Sequence, residues 1–304
     1  MRILIYYLAL PFLYLISWLP FALLYVLSDL LYLLIFKLFR YRKNVVLENL
    51  NNAFPDKSAT EITDISKRFY RHFCDTSLET IKLLSISQAS LLKRISCDDL
   101  SLLEQYKQDR QSVILVLGHL GNWEMAGAFM STQNIPKLYA IYHPLANRKF
   151  DQLMIKMRTR FGAGVYPMKG ALRGMLKNKH EVTSTAFIAD QTAGRKNAHW
   201  MSFLNQPTAV FKGTEMIANK LGYPVIYISV KNLHRGHYRL SCELLTDQPQ
   251  KLAENQLTEM HSRRLEQDII RQPEAWLWTH RRWKKRPNKP NQSSRTEPTD
   301  TKIS

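Results

Sequence analysis

The run Val113-Ile-Leu-Val-Leu-Gly-His119-Leu-Gly-Asn-Trp-Glu124 constrains this chain more than any other: an apolar stretch stops at a glycine and delivers a histidine, then a glutamate. Val113 to Leu117 reads as a buried strand, Gly118 and Gly121 permit a tight turn, and Asn122 is a suitable N-cap for a helix that holds Glu124 in its first turn. Five helical positions turn a side chain through about 140°, so His119 and Glu124 would not share a face if both were helical. The histidine therefore precedes the helix, and both side chains belong to one strand-to-helix corner.

The rest of the chain supplies a setting for that corner. Helices are expected over 61–84, 100–108, 148–161, 172–178, 212–221 and 254–271, and strands over 138–142, 164–168, 184–189, 225–230 and 237–244. Strand alternating with helix implies an α/β fold with a mostly parallel sheet flanked by helices and closed by a late hairpin. Residues 3–36 are apolar apart from Ser17, Ser28 and Asp29, with Pro11 and Pro20 as breaks. Such a stretch is about 50 Å of helix against a hydrocarbon core of about 30 Å. We expect a membrane helix over roughly the first 25 residues, kinked near Pro20, and then an interfacial helix. A cleaved signal peptide fits poorly, because the apolar region is too long and no small-x-small site precedes the charges. Arg2 precedes the run whereas Lys37, Arg40, Arg42 and Lys43 follow it, which places the following domain on the cytoplasmic face. The expected division is an anchor with interfacial helix over 1–38, one catalytic domain over 39–286 and a disordered tail over 287–304, which is polar and without apolar periodicity.

Cys74, Cys97 and Cys242 lack C-x-x-C spacing, which argues against a disulfide framework or a zinc site. His119, Glu124, His143 and Asp190 have no recognised metal-ligand spacing, so no metal is expected. A formal net charge of +18 calls for anionic partners. Nucleic acid is disfavoured, since no nucleic-acid motif is present and the chain opens with an anchor; anionic lipid, a phosphorylated acceptor and an acidic carrier protein each account for the excess.

At the corner, a carboxylate bonded to one ring nitrogen of His119 would leave the other nitrogen to take a proton from a hydroxyl, a triad without its nucleophile. Glu124 is the expected partner, and the pair suits direct attack of an alcohol on an acyl donor. In the bland alternative, His119 ends a strand and Glu124 favours the helix N-terminus. Arg158 and Arg160 could bind a phosphorylated headgroup or merely complement a helix C-terminus. Asp190 and Gln191 end an apolar strand, where they would orient the histidine, bind acceptor hydroxyls or form a turn. The Gly121-Asn122 turn is a candidate for oxyanion and substrate binding.

His119-Leu-Gly-Asn-Trp-Glu124 resembles the H-x4-D/E signature of glycerolipid and lipid A acyltransferases, and most nearly that of the late lipid A acyltransferases of Gram-negative bacteria. Arg40-Tyr-Arg-Lys-Asn-Val-Val-Leu-Glu-Asn-Leu-Asn-Asn-Ala-Phe-Pro55 is similar to that family's R-x-x-V-x-x-N-L-x-x-A-F-P segment, and Met157-Arg158 to its arginine-bearing helix. Ala189-Asp190-Gln191 is similar to P-D-Q, and Pro273-Glu-Ala-Trp-Leu-Trp-Thr-His-Arg-Arg-Trp-Lys284 to P-E-x-x-x-W-x-H-R-R-F-K. One departure bears on acceptor and chain length: Phe203-Leu-Asn-Gln-Pro-Thr-Ala209 stands where the family has F-F-G or F-x-G before P-A-x-T. The resemblance implies a glycerolipid-acyltransferase-like fold, His119 and Glu124 as catalytic residues, and Asn122, Arg158, Arg160, Asp190 and Gln191 as substrate-binding ones. It also implies an acyl-acyl carrier protein or acyl-CoA co-substrate without a cofactor, a lipid A precursor as acceptor, and a place at the inner membrane. Another glycolipid or aminolipid acceptor, or an inactive membrane-tethered lipid-binding protein, are the alternatives.

Overall fold

A computed structural model describes residues 2–193 and 198–284; the expected tail over 287–304 lies outside the described residues. In chain order the elements are α1 (Arg2–Trp18), α2 (Phe21–Tyr32, continued by a π-helical turn over Leu33–Leu38), α3 (Lys43–Ala53), α4 (Ala59–Lys82), α5 (Gln88–Leu92), β1 (Ile95–Cys97), α6 (Ser101–Gln108) and β2 (Val113–Leu117). Then come α7 (Trp123–Met130), β3 (Lys137–Tyr142), α8 (Arg148–Thr159), β4 (Gly164–Pro167), α9 (Ala171–Lys177), β5 (Thr183–Ile188), β6 (Ala198–Phe203), β7 (Gln206–Phe211), α10 (Gly213–Leu221), β8 (Val225–His234), β9 (His237–Thr246) and α11 (Gln256–Arg271).

Among the described residues the main sheet has strand order β1-β9-β8-β2-β5-β3-β4, parallel at every pairing except the β8–β9 hairpin. The unbroken apolar run of β2 follows from its central place. Ile114 and Val116 join one core with α3, α4, α10 and α11, while Val113, Leu115 and Leu117 join a second core with α5, α6 and α7 on the opposite face. A strand buried on both faces has no solvent side for polar residues to occupy, and each buried aliphatic side chain contributes about 1.5–3 kcal/mol. The expected mostly parallel α/β architecture is the one observed. The small β6–β7 hairpin, the short strand β1, and helices α3 and α5 were not anticipated.

The N-terminal helices depart from expectation. Proline lacks the N–H that would continue a helix and biases its predecessor away from helical geometry, so α1 ends at Trp18 and Pro20 (φ −54°, ψ 148°) caps α2. Among the described residues the helix long and apolar enough to cross a bilayer is Phe21–Leu38, with mean hydropathy 2.0, rather than one over the first 25 residues. Polar contacts tie both helices to the body. Lys82 Nζ donates to the carbonyls of Ser17 (2.7 Å) and Leu19 (2.8 Å) at the end of α1. Ser28 Oγ donates to Asp75 (2.6 Å), and Arg235 reaches both Asp75 and Asp29 from the β8–β9 turn.

Candidate active site

Strand register assembles the site. β2 and β5 run parallel with Leu117 opposite Ile188, and Ala189 N–H continues the ladder to Leu117 O at 3.2 Å. Two residues past the last paired position, His119 and Asp190 therefore leave neighbouring strands at one level, at the carboxyl edge where parallel sheets present functional groups. His119 Nδ1 lies 2.6 Å from Asp190 Oδ1, and the His119 backbone N–H donates to Asp190 Oδ2 at 2.8 Å. Trp276 Nε1–H donates to the same Oδ2 at 2.7 Å. Burial by itself would raise the Asp190 carboxyl, but the facing His119 ring and these hydrogen bonds outweigh it and hold the group well below the usual carboxylate range. An ionised carboxylate only accepts, so Nδ1 carries the proton and Nε2 keeps its lone pair. The His119 side chain is 16% exposed against 4% for Asp190, leaving the ring within reach of a substrate. Gln191 Nε2 stands 3.4 Å from His119 Nε2, and Trp123 meets the ring edge-on with centroids 4.9 Å apart.

In this structure the ring nitrogen of His119 meets Asp190 and not the expected Glu124. Glu124 does sit in the first turn of α7, but its carboxylate is gripped by Arg158 of α8, with Nε donating to Oε2 at 3.0 Å and Nη2 to Oε1. The ring nitrogen is taken by Asp190, because matched strand ends bring that carboxylate alongside while Glu124 is carried a turn into the helix. Arg160 is not aimed at the corner either: its guanidinium holds the carbonyls of Leu83 and Ile86. Asn122 is structural on both sides, its Oδ1 accepting from Met125 N–H (2.9 Å) as the N-cap and its Nδ2 donating to Glu79 (2.7 Å). Gly121 N–H donates to Ala275 O at 3.0 Å, so that amide is committed and not free for an oxyanion.

Both glycines of the turn are closely packed, and Gly121 also has a left-handed backbone. A Cβ at Gly118 would lie 2.6 Å from Leu265 Cδ1, and at Gly121 (φ +61°) 2.7 Å from Val230 Cγ1. The segment 273–284 closes over the corner. Leu120 bridges Trp276, and Thr192, next to Gln191, donates its N–H to His280 Nε2 at 3.3 Å. Sequence reasoning missed Glu79, which is 1% exposed and accepts from Tyr25, Tyr238 and Asn122. Burial raises its carboxyl, and these three donors work against that. Nothing local marks it, because in the α4 sequence it resembles any surface glutamate.

Beside the corner an apolar cavity runs between α7 and the sheet, enclosing about 810 Å³ of empty space, its open mouth included. Leu117, Trp123, Gly127, Ala186 and Ile188 are among its walls, and Glu124 and Arg158 are its charged lining. Such a site can hold a long hydrocarbon while a histidine, locked in one tautomer, activates a hydroxyl next to it.

A histidine backed by a buried carboxylate at the end of a parallel strand, opening beside a hydrocarbon-lined cavity, is the equipment of an α/β enzyme that acts on fatty chains. The sequence profile of the bacterial lipid A biosynthesis acyltransferases matches residues 1–285, and the chain belongs to that family: it is an acyltransferase. It is 24% identical over 250 residues to a lipid A biosynthesis palmitoleoyltransferase of Escherichia coli K12, covering 81% of this chain and 80% of the relative. A lipid A biosynthesis acyltransferase of Haemophilus influenzae is 23% identical over 250 residues, covering 81% and 79%. A lipid A biosynthesis myristoyltransferase of E. coli K12 is 20% identical over 168 residues, covering 55% and 50%.

Proposed function

We propose that this chain moves a fatty acyl group from an acyl thioester to a hydroxyl of a lipid A precursor at the cytoplasmic face of the inner membrane. The observation that carries the reading is the 2.6 Å contact of His119 Nδ1 with Asp190, which leaves Nε2 basic next to the apolar cavity. The acyl chain of the donor lies in that cavity. His119 Nε2 takes the proton of the acceptor hydroxyl as its oxygen attacks the thioester carbonyl; the carbon–sulfur bond breaks, and the same proton goes to the departing thiolate. Asp190 holds the ring and stabilises the imidazolium formed on the way. The Glu124–Arg158 pair, at the charged part of the cavity wall, fixes α7 against α8 and orients the thioester end of the chain.

The donor is a thioester carried by acyl carrier protein, whose acidic surface complements the +18 charge of this chain. Membrane attachment rests on Phe21–Leu38 and the apolar face of α1, where Leu8, Phe12, Leu15 and Trp18 are exposed, with Lys37, Arg40, Arg42 and Lys43 placed for anionic headgroups. Mass spectrometry of lipids from cells with and without the gene tests the reading. Lipid A lacking one acyl unit is the expected result. Unchanged lipid A together with a shifted glycolipid or aminolipid would reject the acceptor.

A further inference from the structure

We propose that a polar groove between α3, the β6–β7 turn and the 281–284 segment is the subsite for the phosphorylated sugar headgroup of the acceptor, an inference that rests on the proposed function. The open groove spans about 1570 Å³, adjoining solvent included, and is lined by Asn44, Glu48, Asn52, Gln206, Arg281 and Lys284, with the Trp283 indole beside them. Arg281 also lines an adjoining hollow with Arg40, Arg42 and Lys43, which follow directly on the apolar helix. Amides and an indole face suit sugar hydroxyls and ring faces, and clustered guanidinium and ammonium groups suit phosphate. The side chains of Asn44, Glu48, Asn52, Arg281 and Lys284 make no hydrogen bond or ion pair among the described residues, so these groups are free to meet a ligand.

Backbone strain is concentrated at the same place. Six non-glycine residues have positive φ among the described residues; three of them, Arg40 (48°), Arg42 (51°) and Asn205 (59°), line these two hollows, and a fourth, Leu204 (49°), is buried next to Asn205 in the same turn. Phe203 pairs with Gln206, so Leu204 and Asn205 form a two-residue turn of the kind that prefers Asn-Gly, and leucine there is costly. This is the stretch in which the sequence departs from the F-x-G pattern. Asn205 Nδ2 anchors the turn to Ala53 O at 3.0 Å, which sets the groove's width.

Two contacts in series link the groove's wall to the base. Thr192 Oγ1 contacts Arg281 O at 3.3 Å, and its neighbour Gln191 reaches His119 Nε2 at 3.4 Å. Asn49 in α3 donates to the carbonyls of Trp278 and His280, so the segment that caps Asp190 through Trp276 is also the groove's wall. A headgroup seated here presents its hydroxyacyl arm toward His119, and the β6–β7 turn selects which headgroup enters.

The test uses the full chain in detergent micelles, with a bisphosphorylated glucosamine disaccharide carrying hydroxyacyl chains as acceptor. The Asn52→Leu/Arg281→Ala double variant, with its melting temperature checked against wild type, is expected to show acceptor KM raised about ten-fold or more with kcat little changed. With the dephosphorylated acceptor the difference contributed by Arg281 disappears. Equilibrium binding of the same acceptor to His119→Ala protein, with and without the groove substitutions, reports the groove independently of turnover. Loss of that binding supports the subsite even if no transfer is found. Unchanged binding and KM would overturn it, as would a defect confined to phosphatidylglycerol vesicles, which would assign the cations to the bilayer.

Discussion

At the scale of single residues, the site turns on which carboxylate serves His119. Asp190 bonds both the ring and the backbone N–H of His119, whereas Glu124 spends its oxygens on Arg158. Asp190→Asn is therefore expected to cost about a thousand-fold or more in kcat, as removal of a ring-orienting carboxylate does in a serine triad. Glu124→Gln keeps the base in its working tautomer and is expected to lose less. Steady-state transfer by both purified variants decides between them: a near-normal Asp190→Asn beside an inactive Glu124→Gln would return the orienting role to Glu124. Gly127 offers a second residue-level prediction. It lines the cavity, and a Cβ added there meets nothing within 4 Å. Leucine at this helical position removes a glycine penalty of about 1 kcal/mol while filling hydrocarbon space. The Gly127→Leu protein should fold normally and shift its preferred acyl chain toward fewer carbons, read by mass spectrometry of products from mixed donors.

At the scale of elements, α11 buries His261 and α4 holds His72 half-buried with its ring packed against the fold. Burial pushes His72 and His261 down to about 4, so both are neutral in the folded protein at pH values where the unfolded chain binds protons. At and above about pH 6.5 neither histidine affects stability; as pH falls from there toward 4, each costs the fold about 1.4 kcal/mol per pH unit. Asp190 acts in a different window, because its depressed carboxyl contributes stability above about pH 4 that is lost only in strong acid. The melting temperature should therefore be lower at pH 5 than at pH 7, and His261→Gln should reduce the drop. An equal drop in that variant would show that His261 is not the group being titrated.

At the scale of the whole molecule, the N-terminal helices are joined to the catalytic body and not merely tethered to it. Arg235, in the β8–β9 turn, reaches Asp75 on α4 and Asp29 on α2, and Asp75 is 7% exposed. Removing the guanidinium leaves a buried carboxylate without its cation, so Arg235→Ala is expected to destabilise the protein by about 2 kcal/mol or more. The loss should appear as a lower melting temperature and faster proteolysis near Leu19–Pro20. Intact stability would mean that Ser28 alone satisfies Asp75.

The strand over Val113–Leu117, the glycine turn, the Asn122 cap and most of the helix–strand alternation were legible in the sequence, because each depends on local periodicity and on residues a few positions apart. The break at Pro20 was legible for the same reason, although the position of the apolar span on its far side was not. Family membership was legible too, since it rests on short motifs in order. The partner of His119 was not, because Asp190 reaches it through the parallel register of β2 with β5, a pairing between residues 71 apart. The burial of Glu79 and the meeting of α3 with the β6–β7 turn have the same origin. Local sequence thus determined the elements and the kind of chemistry, while tertiary structure decided which side chains meet, because strand register and helix packing are settled by contacts that no local pattern records.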